Sequence, residues 1–357
     1  MNVWGNKLKI SIFGESHGNG IGAVVDGIPS GLKLDEEFIR REMQRRAPGR
    51  DKFSTPRKEA DEVEILSGVV DGYTTGTPIC GIIRNTNTRS RDYHKELIRP
   101  GHADFTGFAR YGETHDFRGG GHFSGRITAA LVFAGALAKL ALREKGVTIA
   151  SHIKSIGSVC EKSFLDFESI DEKLLCGLTE KAFPVIEDEC GEGMKKVITE
   201  AAADKNSVGG IIECAAIGVK PGVGAPFFAP LESLISSIMF SIPAVKGIEF
   251  GRGFELSKMT GYEANDEFFT DGKKIMTRTN NNGGINGGIS NGMPIVFSVA
   301  VKPTPSIAKK QNTVDMAKME NTEIEIQGRH DPCIVQRAAV VVESGTAIAL
   351  LEGILFD

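Results

Sequence analysis

Residues 119–144 read GGGHFSGRITAALVFAGALAKLALRE. From Thr128 to Glu144 the chain is apolar on almost every side, interrupted only by Lys139 before the charged end at Arg143 and Glu144. A helix without a polar face belongs inside a core, enclosed by other elements. Gly119-Gly120-Gly121 precedes it, so free backbone N–H groups and the positive end of a helix dipole would meet there, as in an anion cradle. The loop is not a P-loop, because no Gly-Lys-Ser/Thr follows it. No G-x-G-x-x-G occupies a strand-to-helix turn, so a dedicated dinucleotide domain is not expected.

Upstream of this stretch, residues 8–13 and 21–25 have strand composition, and the polar turn Gly14-Glu15-Ser16-His17-Gly18 lies between them. Residues 35–46 carry acids in the first turn and Phe38, Ile39 and Met43 on one stripe, which predicts a helix. Pro48-Gly49 ends it. Strands are expected at 63–70 and 78–84. Residues 85–118 are polar, weakly periodic and dense in Arg, His and Asp. Long loops of that kind in compact proteins are usually functional.

Downstream, residues 209–219 read as a strand, Lys220-Pro221-Gly222-Val223-Gly224 as a turn and 230–242 as a helix. A strand at 295–301 and an apolar closing helix through Leu350 follow. The order strand, turn, helix over 209–242 echoes that over 22–43 and is compatible with an internal pseudo-two-fold duplication. The 357 residues exceed the usual size of one core. No Pro- or Ser-rich linker divides them, so a single domain over residues 1–357 is expected.

Net charge is -4 and aromatic residues are 7% of the chain, which argues against a nucleic-acid partner. The N-terminus has no secretory pattern. No run of about 18 apolar residues is apparent, so no membrane span is expected. The six cysteines form no C-x-x-C pair, and the histidines have no metal-ligand spacing. Reduced thiols, a cytoplasmic location and no metal are the corresponding expectations.

Basic residues concentrate in the N-terminal third, among them Arg40, Arg41, Arg45, Arg46, Arg99, Arg118 and Arg126. Guanidinium forks suit phosphate and carboxylate, so the group beside the glycine loops points to a small polyanion. His17, His102, His122 and His330 fall in loops rich in Gly, Asp and Arg, where an imidazole suits proton transfer near neutral pH.

Several segments, in order along nearly the whole chain, resemble the chorismate synthase family. They are Phe13-Gly14-Glu15-Ser16-His17-Gly18, Arg99-Pro100-Gly101-His102-Ala103-Asp104, Arg118-Gly119-Gly120-Gly121 with Ser124 and Arg126, Ala244-Val245-Lys246-Gly247, the Gly283 to Gly292 run, Lys302-Pro303-Thr304, and Gly328-Arg329-His330-Asp331-Pro332-Cys333. The resemblance implies an α+β fold: a β-α-β sandwich with core helices between antiparallel sheets, assembled as a homotetramer. It implies a 1,4-anti elimination of phosphate from 5-enolpyruvylshikimate 3-phosphate to give chorismate, the last step of the shikimate pathway to the aromatic amino acids. Reduced FMN would be required without net redox change. NADPH would enter only if the enzyme reduces its own flavin; otherwise a separate flavin reductase would serve.

The resemblance also assigns roles. His17 would act near the flavin, His102 would protonate the leaving phosphate, Asp331 would help take the proton, and Ser16 and Ser124 would relay protons. Arg45, Arg46, Arg126 and Arg337 would hold the substrate. FMN would meet His122, Phe123, Ser124, Ala244, Gly287, Lys302, Pro303, Thr304, Pro305, Ser306 and Arg329, and NADPH would meet Arg46 and Lys52. Two other readings stay open: a flavin oxidoreductase with net hydride transfer, and an anion- or RNA-binding module.

Overall fold

The computed structural model describes residues 2–49, 59–86, 95–326 and 331–356. Its architecture follows from two helices that have no polar face. Thr128–Arg143 is buried along nearly its whole length, and the closing helix Val335–Phe356 packs directly on it. Gly135 sits at the closest approach: a Cβ there would lie 2.2 Å from Ser344 Cβ, so only glycine lets the helices meet this closely. Glu36–Arg46 packs on both of these helices and Leu231–Met239 on the closing one, which gives a layer of four.

One antiparallel sheet covers each side of that layer. The first has the spatial order Val3–Trp4, Lys9–Gly14, Gly20–Asp26, Ile79–Arg84, Val63–Ser67. Thr128–Arg143 packs on this sheet, with the Phe133 ring over Gly81, where any side chain would collide with it. The second has the order Val159–Cys160, Thr148–Ile156, Gly210–Ile217, Ile295–Val301, Val245–Phe250, and the closing helix packs on it. Glu172–Glu180 covers its outer face through Leu175 and Leu178. This is the expected sandwich of helices between antiparallel sheets.

The echo between the two halves is a repeat of topology. Apart from short hairpins and inserted helices, each half runs strand, strand, helix, strand, strand, helix. In each sheet those four strands stand in the order first, second, fourth, third. Two elements differ from expectation. The loop 85–118 contains a helix, Asp104–Tyr111, too short for its periodicity to stand out. Two helices, Gly125–Arg143 and Val335–Leu355, do reach membrane-span length and mean hydropathy (1.5 and 1.7), which corrects the reading that no such run exists. In both windows 89% is buried inside the fold, so that hydropathy reflects burial on all sides by protein.

The helix layer also buries charge. Glu343 of the closing helix accepts from Arg45 Nη1 (2.6 Å) and Nη2 (2.7 Å), from Lys139 Nζ (2.7 Å) and from Ser151 of the second sheet. Glu42 binds the same two cations. Two acids and two bases therefore neutralise one another in the interior, which such groups require. Burial disfavours the ionised Glu343 carboxyl, but Arg45 and Lys139 outweigh it and hold its pKa below the usual carboxylate value. A depressed carboxylate contributes stability that is fully present above its unfolded pKa and lost as pH falls through the folded one. Arg45→Met should therefore cost about 3–5 kcal/mol in urea unfolding near neutral pH. It should also flatten the acid loss of stability between about pH 5 and about pH 2. An unchanged unfolding midpoint would contradict this account of Arg45.

Candidate active site

Both central helices begin at the same place. The start of Thr128–Arg143 and the segment entering Val335–Phe356 line one cavity of about 990 Å³, so two positive helix ends face it. The end of Glu36–Arg46 closes the same wall through Arg46. Among the described residues, six Arg and Lys side chains line the cavity against two carboxylates, Glu59 and Asp331. Ile10, Leu131, Ile242 and Val341 belong to its apolar lining.

Three arginines form the cationic wall. Arg46 is 1% exposed and donates to Asp61 through Nε (2.8 Å) and Nη2. Arg126 donates to Asp61 through Nη1, to Asn85 Oδ1 through Nε (3.1 Å), and lies 3.4 Å from Glu59. Arg337 donates to Asp331 Oδ2 (2.7 Å) and to the Arg46 carbonyl (3.1 Å). Burial lowers the Arg46 pKa to about 10; Asp61 opposes that fall, and Arg337 and Arg126 add to it. The guanidinium stays charged near neutral pH, so the cluster carries positive charge at the cavity surface.

His102 stands opposite the glycine loop. Its Nδ1 lies 2.7 Å from Asp104 Oδ1, and Arg99 holds both oxygens of that carboxylate at 2.7 Å. Burial raises the Asp104 pKa, but hydrogen bonds from Arg99 and His102 outweigh it and keep the carboxyl well below the usual range. An ionised carboxylate only accepts, so Nδ1 carries the hydrogen and Nε2 is the exchanging end. Nε2 points at the loop, where a Cβ on Gly120 would lie 3.2 Å from it.

Gly119, Gly120 and Gly121 all take positive φ (61°, 84° and 54°). A side chain on Gly119 would strike His17 Nε2 at 2.5 Å, and one on Gly121 the Asp116 carbonyl at 1.9 Å. The loop thus lies flat between His17 and His102, as no other residue type could. Ser16 Oγ, next to Gly119, and Thr304 Oγ1 in the wall are buried hydroxyls without a protein partner among the described residues. Such groups call for a ligand or solvent.

The cavity gathers most of the anticipated residues: Arg46, His102, His122, Phe123, Ser124, Arg126, Ala244, Lys302, Thr304, Pro305, Ser306, Asp331 and Arg337 all line it. Ser16 and His17 stand directly behind Gly119, and Pro303 packs on Gly209 beside the wall. His122 is anchored to the Gly14 carbonyl through Nδ1 (2.8 Å). Lys52, Arg329 and His330 lie outside the described residues.

Two anticipated residues do not line this cavity. Neighbouring helix positions point about 100° apart, so with Arg46 in the wall Arg45 turns to the interior network instead. Gly287 is also away from the cavity. With Gly288 it makes the two-residue turn of the hairpin Ile285–Asn286/Ile289–Ser290, where both φ values are positive. That turn packs against Pro230, across the length of Leu231–Met239 from Ala244. Asp104 and Asp61 were not anticipated as site residues. The spacing His102-x-Asp104 could have flagged the first; Asp61 precedes an ordinary strand and carries no local signal.

A glycine-cradled cationic cavity set between antiparallel sheets defines a protein built to hold a small polyanion beside an oriented histidine. Comparison with known proteins specifies the family. The chorismate synthase family model matches residues 8–355. Chorismate synthase of Archaeoglobus fulgidus is 48% identical, covering 100% of this chain and 98% of the relative. That of Methanocaldococcus jannaschii is 46% identical over 99% of this chain and 96% of its own length. A crystal structure of chorismate synthase superposes with a TM-score of 0.78 at 33% identity, over 99% of this chain and 93% of that one. The chain belongs to the chorismate synthase family.

The His102–Asp104 geometry predicts a tautomer. Nitrogen-15 NMR of labelled protein should show the His102 proton on Nδ1 when the ring is neutral, and Asp104→Asn should shift the population toward Nε2-H. A spectrum indifferent to that substitution would show that Asp104 does not orient the ring.

Proposed function

We propose that this protein is a lyase that converts 5-enolpyruvylshikimate 3-phosphate to chorismate by 1,4-anti elimination of phosphate, with reduced FMN required and not consumed. The observation that carries the reading is the joining, in one wall, of three arginines with a histidine whose free nitrogen faces the anion cradle. The substrate brings a phosphate and two carboxylates, each a match for a guanidinium fork. Arg46, Arg126 and Arg337 hold these groups and fix the ring for reaction.

As the C–O bond to phosphate breaks, charge gathers on the departing oxygen. His102 Nε2 delivers a proton there while Asp104 holds Nδ1, and the cationic wall stabilises the released anion. Asp331, paired with Arg337, is a carboxylate in the wall able to accept the proton that leaves the ring carbon. Ser124, which caps the turn leading into Arg126, and the buried Ser16 hydroxyl lie in the same wall and behind it.

The residues present suit a flavin mononucleotide. Lys302 would meet its phosphate, Thr304 and Ser16 offer unpartnered hydroxyls, and the apolar lining would cover its ring. When bound, reduced FMN lends the electron density that eases the elimination and recovers it afterwards. A cytoplasmic homotetramer, with flavin reduced either by the enzyme's own use of NADPH or by a separate reductase, completes the reading. Net hydride transfer would need a lasting nicotinamide site, and no dinucleotide fingerprint supplies one.

Steady-state kinetics separate the roles. His102→Ala should lower kcat by roughly 10²–10⁴-fold with substrate affinity nearly unchanged, since a proton donor acts in the transition state. Arg46→Ala should instead weaken substrate binding first. Near-normal turnover in His102→Ala would remove that residue from the mechanism.

A further inference from the structure

Arg46 and Arg126 are held by a single carboxylate. Asp61 gives Oδ2 to Arg46 Nε (2.8 Å) and Nη2, and Oδ1 to Arg126 Nη1, so each oxygen serves a different guanidinium. Its side chain is fully buried and is not part of the cavity wall, whereas both arginines are. Asp61 has φ of +53°, in the left-handed region that costs a non-glycine residue energy. It lies two residues before the edge strand Val63–Ser67, and the strained turn places its carboxylate between the two forks. Arg337 completes the arrangement by donating to the Arg46 carbonyl at 3.1 Å.

We propose that Asp61 is a positioning residue of the anion pocket. It aligns the Arg46 and Arg126 forks so that the N–H groups it does not use face an anionic group of the ligand. The proposal rests on reading the cavity as the site of a phosphorylated substrate, and it concerns how that site is set, since Asp61 touches nothing bound there.

Charge and position pull in opposite directions here, which makes the proposal testable. Removing a carboxylate beside two arginines makes the wall more positive, and by charge alone any anion would then bind more tightly. Losing the alignment of the forks weakens binding instead. An amide at this position can accept from one guanidinium but turns a donor toward the other.

The test measures inorganic phosphate binding by calorimetry and KM and kcat for 5-enolpyruvylshikimate 3-phosphate on the same preparations. Asp61→Asn should raise the phosphate Kd and the substrate KM by about tenfold or more, with a smaller change in kcat. Asn85→Ala removes the acceptor of Arg126 Nε (3.1 Å) and leaves every charged group in place, while also freeing the Glu15 and Gly18 carbonyls that the Asn85 amide holds. It should move both constants the same way, by roughly two- to fivefold, and it carries the test if Asp61→Asn does not fold. Phosphate binding that is unchanged or tighter in the folded variants, with only a lower Tm, would make Asp61 a structural counter-charge and overturn the proposal. Weakened phosphate binding in both variants, in a protein that forms no chorismate, would support the positioning role and overturn the functional reading.

Discussion

Gly135 against Ser344 is the contact on which the rest of the molecule depends. The two central helices can approach this closely only because no side chain stands at the crossing. Once joined, they must be covered on both sides, and the two antiparallel sheets do this with the same strand order. Their common starting point opens onto the cavity. Arg126 and Arg337 reach the cavity because they stand at those two helix starts, and Arg46 because it ends the helix packed across both. The architecture thus delivers cations and positive helix ends to a single wall.

Such a wall would be unstable if left uncompensated, and the structure compensates it in two ways. Deep in the helix layer Arg45 and Lys139 are neutralised by Glu42 and Glu343, so that layer carries no net charge from these four groups. At the cavity the compensation is partial: Asp61 holds Arg46 and Arg126 from behind the wall, Asp331 pairs with Arg337 within it, and the described lining keeps more cations than carboxylates. Two neighbouring arginines on one helix therefore have opposite uses, one balanced for stability and the other kept for an anion. The depressed pKa of Arg46, to about 10, reflects burial beside like charges that a tightly bound polyanion would relieve.

Much of this was legible in the sequence, for physical reasons. The strands at 8–13, 21–25, 78–84 and 295–301 and the helix at 128–144 announce themselves because burial on one or all faces dictates their composition. The glycine loop was legible because three consecutive glycines have few uses other than a backbone of positive φ. Pairing of side chains across the fold was not. Nothing local distinguishes Arg45 from Arg46; the difference lies in which face meets Glu343, a residue 298 positions away. Asp61 looks like any acid before a strand until its two partners are in place. A tight hairpin turn accounts locally for the conformation of Gly287, which a glycine-rich run alone does not reveal. Hydropathy alone would equally have mistaken the two central helices for membrane spans.

The central claim is that this cavity eliminates phosphate without net oxidation or reduction. The most direct measurement is anaerobic: protein, photoreduced FMN and 5-enolpyruvylshikimate 3-phosphate are mixed, and chorismate absorbance, free phosphate and the flavin spectrum are followed together. The account predicts equal release of chorismate and phosphate over many turnovers, none of it without reduced flavin, and the flavin still reduced at the end. Flavin oxidised in step with product, or phosphate released without chorismate, would contradict it.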